Sequence, residues 1–84
     1  MKVYLLTIES QDNVENLIYK SQESALECVK GDLLDRYHFD TDEPYITQEE
    51  LEEKQDEAVN ALQNYGSWKD DEVQYWLDKK DLLD

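Results

Sequence analysis

The sequence contains little cysteine, proline or glycine. A single cysteine, Cys28, cannot form an intramolecular disulfide, and two glycines and one proline offer little material for a loop-rich, disulfide-stapled secreted fold. The apolar stretch that follows Lys2 is interrupted by Thr7 and Glu9, well before the length of a signal peptide or a spanning helix. We therefore expect a cytoplasmic protein.

Basic residues are also scarce. Eight lysines and arginines stand against 22 aspartates and glutamates, which gives a formal net charge of -14. Phosphates and anionic lipids favour lysine and arginine, so we expect neither direct nucleic-acid binding nor membrane binding. An apolar fraction of 39% and a tyrosine count of six argue against disorder. The length predicts a single domain over residues 1–84.

Few side chains are available for catalysis. Cys28 and His38 are ten positions apart, about 15 Å along a helix, which is too far for a nucleophile and its base. Carboxylates are so numerous that no pair can be selected as an acid and a base. Asp40 could begin a calcium loop, but Pro44 and Leu51 then occupy ligand positions. We expect no enzyme activity, no metal and no cofactor.

The first half of the chain predicts a hairpin followed by a helix. Residues Lys2–Ser10 alternate as a strand, with Val3, Leu5 and Thr7 on one face and Tyr4, Leu6 and Ile8 on the other. A turn precedes a second strand over Val14–Lys20. Ser21 or Ser24 can cap a helix in which apolar residues recur four apart, at Ala25, Val29, Leu33 and Tyr37.

The second half predicts a loop, a helix and a strand. The loop spans 38–46, because Pro44 disfavours helical geometry in the residue before it. Thr47 and Glu50 form a capping box, and Gly66 ends the helix after Tyr65. The predicted core stripe of this helix is Leu51, Gln55, Ala58, Leu62 and Tyr65.

Residues 72–77 alternate as a third strand, although the DKKDLLD that follows could extend as a helix. The predicted fold is therefore α+β, with a three-stranded antiparallel sheet, two helices on one face and the order β-β-α-α-β. The other face would carry Val3, Leu5 and either Tyr75 or Trp76. It is either an interaction surface or covered by the second helix or the tail.

The second predicted helix opens with a dense run of carboxylates, in which Lys54 is the one basic residue. These side chains fan over the face opposite the core stripe, at roughly one charge per 2 Å of helix axis, against about 1.7 Å in duplex DNA. The run consists of Glu49, Glu50, Glu52, Glu53, Asp56 and Glu57, and Asp40, Asp42 and Glu43 precede it. A charge run is more often a solvated face, but this density also suits mimicry of a nucleic-acid backbone.

The opening MKVYLLTIES, the helix TQEELEEKQDEAVNALQNYG and the closing DEVQYWLDKK resemble small acidic proteins of bacteriophages and mobile elements, among them anti-CRISPR proteins and other DNA mimics. The resemblance implies a phage inhibitor in the host bacterial cytoplasm. Its acidic face would occupy the basic channel of a nucleic-acid-binding protein such as a CRISPR effector nuclease. Tyr45, Tyr65 and Trp68 could anchor that interface, or the last two could close the core.

A different class of function is also open. The chain could be a structural or regulatory module that dimerises, or binds a partner, through its open sheet face or its edge strand. The acidity would then serve only solubility. We accordingly expect a monomer or a weak homodimer.

Overall fold

A computed structural model describes residues 1–37 and 47–81. Four strands and two helices follow one another along the chain. They are β1 (Lys2–Ser10), β2 (Asn13–Tyr19), α1 (Gln22–Tyr37), α2 (Gln48–Tyr65), β3 (Ser67–Lys69) and β4 (Val73–Asp81). The strands form an antiparallel sheet in the order β2-β1-β4-β3.

Local sequence determines the helix ends. Of the two candidate caps of α1, Ser21 is used, since its hydroxyl oxygen accepts from the amide of Ser24 at 3.2 Å. At α2 the Thr47 hydroxyl oxygen accepts from the amide of Glu50 at 3.1 Å, which confirms the predicted cap. Gly66 ends α2 in the left-handed region, at φ 79°, and its amide donates to the carbonyls of Ala61 and Leu62.

The core lies between the sheet and both helices, which pack on the same face. From the sheet it takes the alternate residues that include Leu6, Ile8 and Tyr75, all at most 4% exposed. The helices contribute their predicted stripes apart from two residues of α2, the half-buried Gln55 and the exposed Tyr65. The buried helix residues are Ala25, Leu26, Val29, Leu33 and Tyr37 from α1, and Leu51, Ala58 and Leu62 from α2.

The sheet differs from the predicted three strands because β3 was missed. Its three residues are too few to show an alternation, yet Trp68 and Lys69 pair with Tyr75 and Gln74 of β4. The predicted third strand is β4, which continues to Asp81 since it pairs with β1 along its whole length. The predicted helical extension of the tail is therefore wrong through residue 81. The order of elements along the chain becomes β-β-α-α-β-β.

One core assignment on α2 is also wrong. Tyr65 has the angular position of the core stripe but is 84% exposed. It is the last helical residue, beyond the point where Leu62 makes the final buried contact of α2. Periodicity gives the direction of a side chain, but it does not say how far the packing partner extends.

The face of the sheet opposite the helices carries Val3, Leu5, Thr7, Ile18 and Trp76, and Val3 is only 5% exposed there. The register places Leu5 beside Ile18 of β2 and Thr7 beside Trp76 of β4, while Tyr75 points into the core. Ile18 is 68% exposed, whereas Leu5 and Trp76 are half-buried. We call this surface the open sheet face. Because α2 packs on the opposite side and the tail through Asp81 belongs to β4, neither covers this face, and residues 82–84 lie outside the described residues.

Candidate protein-binding surface

Six carboxylates of α2 form one exposed surface, which we call the α2 acidic face. At about 100° per residue they span about 160° of the helix circumference, centred opposite Leu51. All six are exposed, so the run predicted from the sequence is accessible to a partner. The face consists of Glu49, Glu50, Glu52, Glu53, Asp56 and Glu57.

Lys54 does not neutralise the acidic face, because its ammonium group is directed elsewhere. The Nζ atom donates to an Oδ2 of Asp70 at 3.2 Å, and the side chain is 29% exposed. The same nitrogen lies 5.2 Å from the ring centroid of Tyr37 and 5.9 Å from that of Trp68. The one basic residue within the run is thus committed to its own carboxylate partner at the base of the helix.

The Asp70 carboxylate accepts four hydrogen bonds and connects α1, α2 and the turn between β3 and β4. Its Oδ2 accepts from the Tyr37 hydroxyl at the end of α1 and from Lys54 of α2. Its Oδ1 accepts from the amides of Glu72 and Val73 at 2.8 and 2.9 Å, which closes the turn between β3 and β4. We call these residues the Asp70 cluster. The cluster holds the second turn of α2 against the end of α1 and the turn between β3 and β4.

The electrostatics of the Asp70 cluster favour the ionised carboxylate. Burial acts to raise the pKa of Asp70, but the hydrogen bonds from Tyr37, the two amides and Lys54 outweigh it and lower the pKa. Burial, followed by the bond to Asp70, raises the pKa of Tyr37. The phenol therefore stays protonated and remains a donor at neutral pH.

Further side-chain hydrogen bonds connect α2 with α1 and α1 with the sheet. The side-chain amide of Gln55 on α2 donates to the backbone carbonyl of Lys30 on α1 at 2.9 Å. Asp32 of α1 accepts from the Tyr75 hydroxyl of β4 at 2.5 Å and from Arg36 at 2.7 Å. Side chains on the acidic face therefore project from a helix whose second turn is anchored to Asp70 through Lys54 and to α1 through Gln55.

Apart from Tyr65, the remaining residues predicted for the site lie either outside the described residues or in the core. Asp40, Asp42, Glu43 and Tyr45 lie outside the described residues, as does His38. Trp68 is 9% exposed and stacks on Tyr75 with ring centroids 6.0 Å apart, so it closes the core.

Tyr65 is free to serve as an anchor at the far end of α2. It borders a shallow groove of about 360 Å³ that Tyr4, Leu62, Leu77 and Lys79 also line. The sequence pattern assigned Tyr65 to the core. Only its position as the last residue before Gly66 could have indicated the exposure.

Residues 1–37 and 47–81 contain no group of three or more His, Cys, Asp or Glu side chains placed to hold a metal ion. Cys28 is half-buried on α1 and packs against the core. Its hydrogen bond with Tyr19, together with burial, raises the pKa of Tyr19 to about 12.

Neither described helix is long and apolar enough to cross a membrane. Comparisons of the chain with protein-family models, with curated proteins and with solved structures gave no match.

Proposed function

We propose that this protein is an inhibitor that binds proteins through the α2 acidic face. Its target would be the basic surface on which a nuclease or another DNA- or RNA-binding protein holds nucleic acid. The proposal rests chiefly on one observation. Six exposed carboxylates share one face of α2, and the lysine among them is withdrawn into the Asp70 cluster.

The spacing of the charges supports mimicry of a nucleic-acid backbone. Between Glu49 and Glu57 the helix rises about 12 Å, so six carboxylates give roughly one charge per 2 Å. That density is close to the value of about 1.7 Å per charge of duplex DNA. A channel lined with lysine and arginine would therefore meet a comparable field from this helix.

Like-charge crowding on α2 favours binding over stability. Glu49 and Glu53, and likewise Glu53 and Glu57, are four residues apart, and each such pair costs about 0.2 to 0.5 kcal/mol. A basic partner relieves this repulsion when it binds. The carboxylates near the start of α2 recover part of the cost through the helix dipole.

Tyr65 offers an exposed aromatic side chain on the core-stripe side of α2, about 140° around the helix from the centre of the acidic face, for a partner that reaches around the end of the helix. This side chain is 84% exposed at the end of the acidic helix, and exposed tyrosines are frequent energetic centres of interfaces. Charge would set the association rate and the register, while a buried aromatic anchor would set the residence time.

The resemblance to phage-encoded anti-CRISPR proteins and other DNA mimics agrees with this mechanism. A CRISPR effector nuclease in the host bacterial cytoplasm is then a suitable target, because its channel holds an RNA–DNA duplex in a basic groove. Inhibition would arise from occupancy of the channel, without catalysis, metal or cofactor.

Charge reversal on two different helices tests the proposal. One variant carries Glu49→Lys, Glu53→Lys and Glu57→Lys on α2. The matched control carries Glu23→Lys, Glu27→Lys and Asp35→Lys, which are exposed on α1 and change the net charge by the same amount. Each form is immobilised and exposed to nuclease-treated bacterial lysate, and bound proteins are eluted with rising salt.

We expect the wild type and the α1 variant to capture the same nucleic-acid-binding protein, which moderate salt or added duplex DNA releases. The α2 variant should capture none of it. Equal capture by the two triple variants, or capture that duplex DNA does not displace, would contradict the proposal.

A further inference from the structure

The strand β2 forms an open edge of the sheet. It lies at one end of the order β2-β1-β4-β3 and pairs with β1 alone. Its seven residues, NVENLIY, contain no proline and one charge, Glu15. Natural edge strands are usually protected by proline, by several charges or by short length. The other edge, β3, has only three residues, and α2 packs against it.

Exposed apolar side chains accompany this edge. Val14 is 56% exposed and Ile18 is 68% exposed, although both belong to a strand. Because they are four residues apart, they point to the same side, which is the open sheet face. There Ile18 lies beside Leu5, so an apolar surface extends from the sheet centre to the unpaired edge.

We infer that this edge pairs with a second copy of the same chain. The two β2 strands would run antiparallel about a two-fold axis through Asn16 and join two sheets into one of eight strands. In that register Val14 lies opposite Ile18 of the second copy, at two symmetric places. At both ends the turn residue Asp12 meets Lys20 of the second copy.

The match of Val14 with Ile18 on the open sheet face, supported by Asp12 and Lys20 at the strand ends, favours this register. In one continuous sheet the helices of both copies lie on the same side, so residues opposite each other across the new edge must point to the same face. The register can therefore shift only in steps of two residues. The next register in one direction places Glu15 opposite Glu15, and the next in the other direction places Val14 opposite Lys20. On the open sheet face the pairing centred on Asn16 joins Val14 with Ile18, and beyond the strand ends it brings Asp12 near Lys20, while on the helix side it places Glu15 opposite Leu17.

The large net charge does not prevent this association. The helix α2, which carries the acidic face on its exposed side, packs over β3 and β4, at the end of the sheet away from β2. Five strand spacings separate β4 from its copy, about 24 Å at about 4.8 Å each. This exceeds the Debye length of about 8 Å at physiological ionic strength. The exposed acids of α1 lie closer, so the dimer should strengthen as salt rises.

The assembly would present two acidic faces on the same side of one continuous sheet. This inference does not depend on the proposed inhibitor function, because it uses the opposite end of the sheet. A monomeric variant would still display one intact α2 acidic face.

Sedimentation equilibrium over a range of protein and salt concentrations measures the association. We expect the wild type to be dimeric, with a dissociation constant that falls as salt rises. Ile18→Lys should shift it at least tenfold towards monomer, since it places two lysines opposite Val14. Leu34→Lys on α1 is the matched control, because Leu34 is also an exposed apolar residue, at 44%, and should leave the dimer intact.

Disulfide trapping tests the register independently of the lysine variants. In a Cys28→Ser background, Asn16→Cys brings two cysteines together on the two-fold axis, within disulfide range. Asn13→Cys places them about 20 Å apart. We expect an intermolecular disulfide from Asn16→Cys alone. A monomeric wild type at all concentrations, dimerisation by Ile18→Lys equal to wild type, or equal trapping at both positions would overturn the inference.

Discussion

The Asp70 cluster predicts that Asp70→Asn destabilises the protein more than any comparable loss of one surface charge. The carboxylate is 11% exposed and accepts from two side chains and two backbone amides. Asparagine keeps the Oδ1 acceptor, so the bonds from Glu72 and Val73 can persist. At the Oδ2 position it presents an amide group, which cannot accept from Lys54.

The magnitude follows from the bonds that change. A hydrogen bond with a charged partner contributes about 1.5 to 3 kcal/mol, and the bond from Lys54 is lost. The Tyr37 hydroxyl can rotate and accept from the new amide, so the change at Tyr37 adds little to the loss of stability. We therefore expect a loss of about 2 kcal/mol in the free energy of unfolding, or about 8 to 16 °C in the melting temperature.

Urea denaturation followed by circular dichroism measures this loss, with Asp71→Asn as the control. Asp71 is the exposed neighbour of Asp70, so its replacement makes the same change in net charge without touching the cluster. Asp71→Asn should be neutral or slightly stabilising, because it reduces self-repulsion. Equal stability of the two variants would refute the role assigned to Asp70.

Further predictions concern acid stability and the two glycines. Since the pKa of Asp70 is lowered on folding, its contribution is complete at neutral pH and is lost as the pH falls through the folded-state pKa. The stability difference between wild type and Asp70→Asn should thus shrink below about pH 4 in a urea titration at stepped pH, and a difference that grew on acidification would contradict this. Gly66→Ala should cost about 1 kcal/mol because alanine strains at φ 79°, as chemical denaturation would show. Gly31→Ala should gain about 1 kcal/mol, since its added Cβ meets nothing within 4 Å in α1, and equal effects at the two glycines would exclude this account.

Periodicity and capping predicted most of the elements. The alternation of Lys2–Ser10 and the N-cap at Thr47 each mark structure through neighbouring residues, and both were correct, although in the described part of the chain Glu50 bonds to the Thr47 hydroxyl and not to its backbone amide as a full capping box requires. The strand β3 was missed since Ser67–Lys69 is held by its pairing with β4, which no local pattern of three residues reveals. A signal was nevertheless present. Asp70 before Glu72 and Val73 is a residue that often caps a turn with its own side chain.

For the candidate site, the sequence indicated which α2 residues are exposed but not the arrangement around them. The exposure of the six carboxylates followed from helix geometry and the core stripe. The withdrawal of Lys54 did not, because Asp70 is 16 positions away and meets it only through tertiary packing. The sequence also could not place Tyr65, whose exposure depends on where the sheet ends beneath α2.

The pairing of β1 with β4 has a consequence for how the chain is made. These strands come from opposite ends of the described sequence, yet they form the centre of the sheet, and Tyr75 of β4 completes the core. An isolated two-stranded hairpin is marginally stable at best, so β1 and β2 cannot form a stable sheet while the ribosome is still synthesising the helices. The acidic helix α2 is therefore synthesised before β3 and β4, the strands on which it packs. Folding must await the closing strand, at the slower rate typical of long-range pairing.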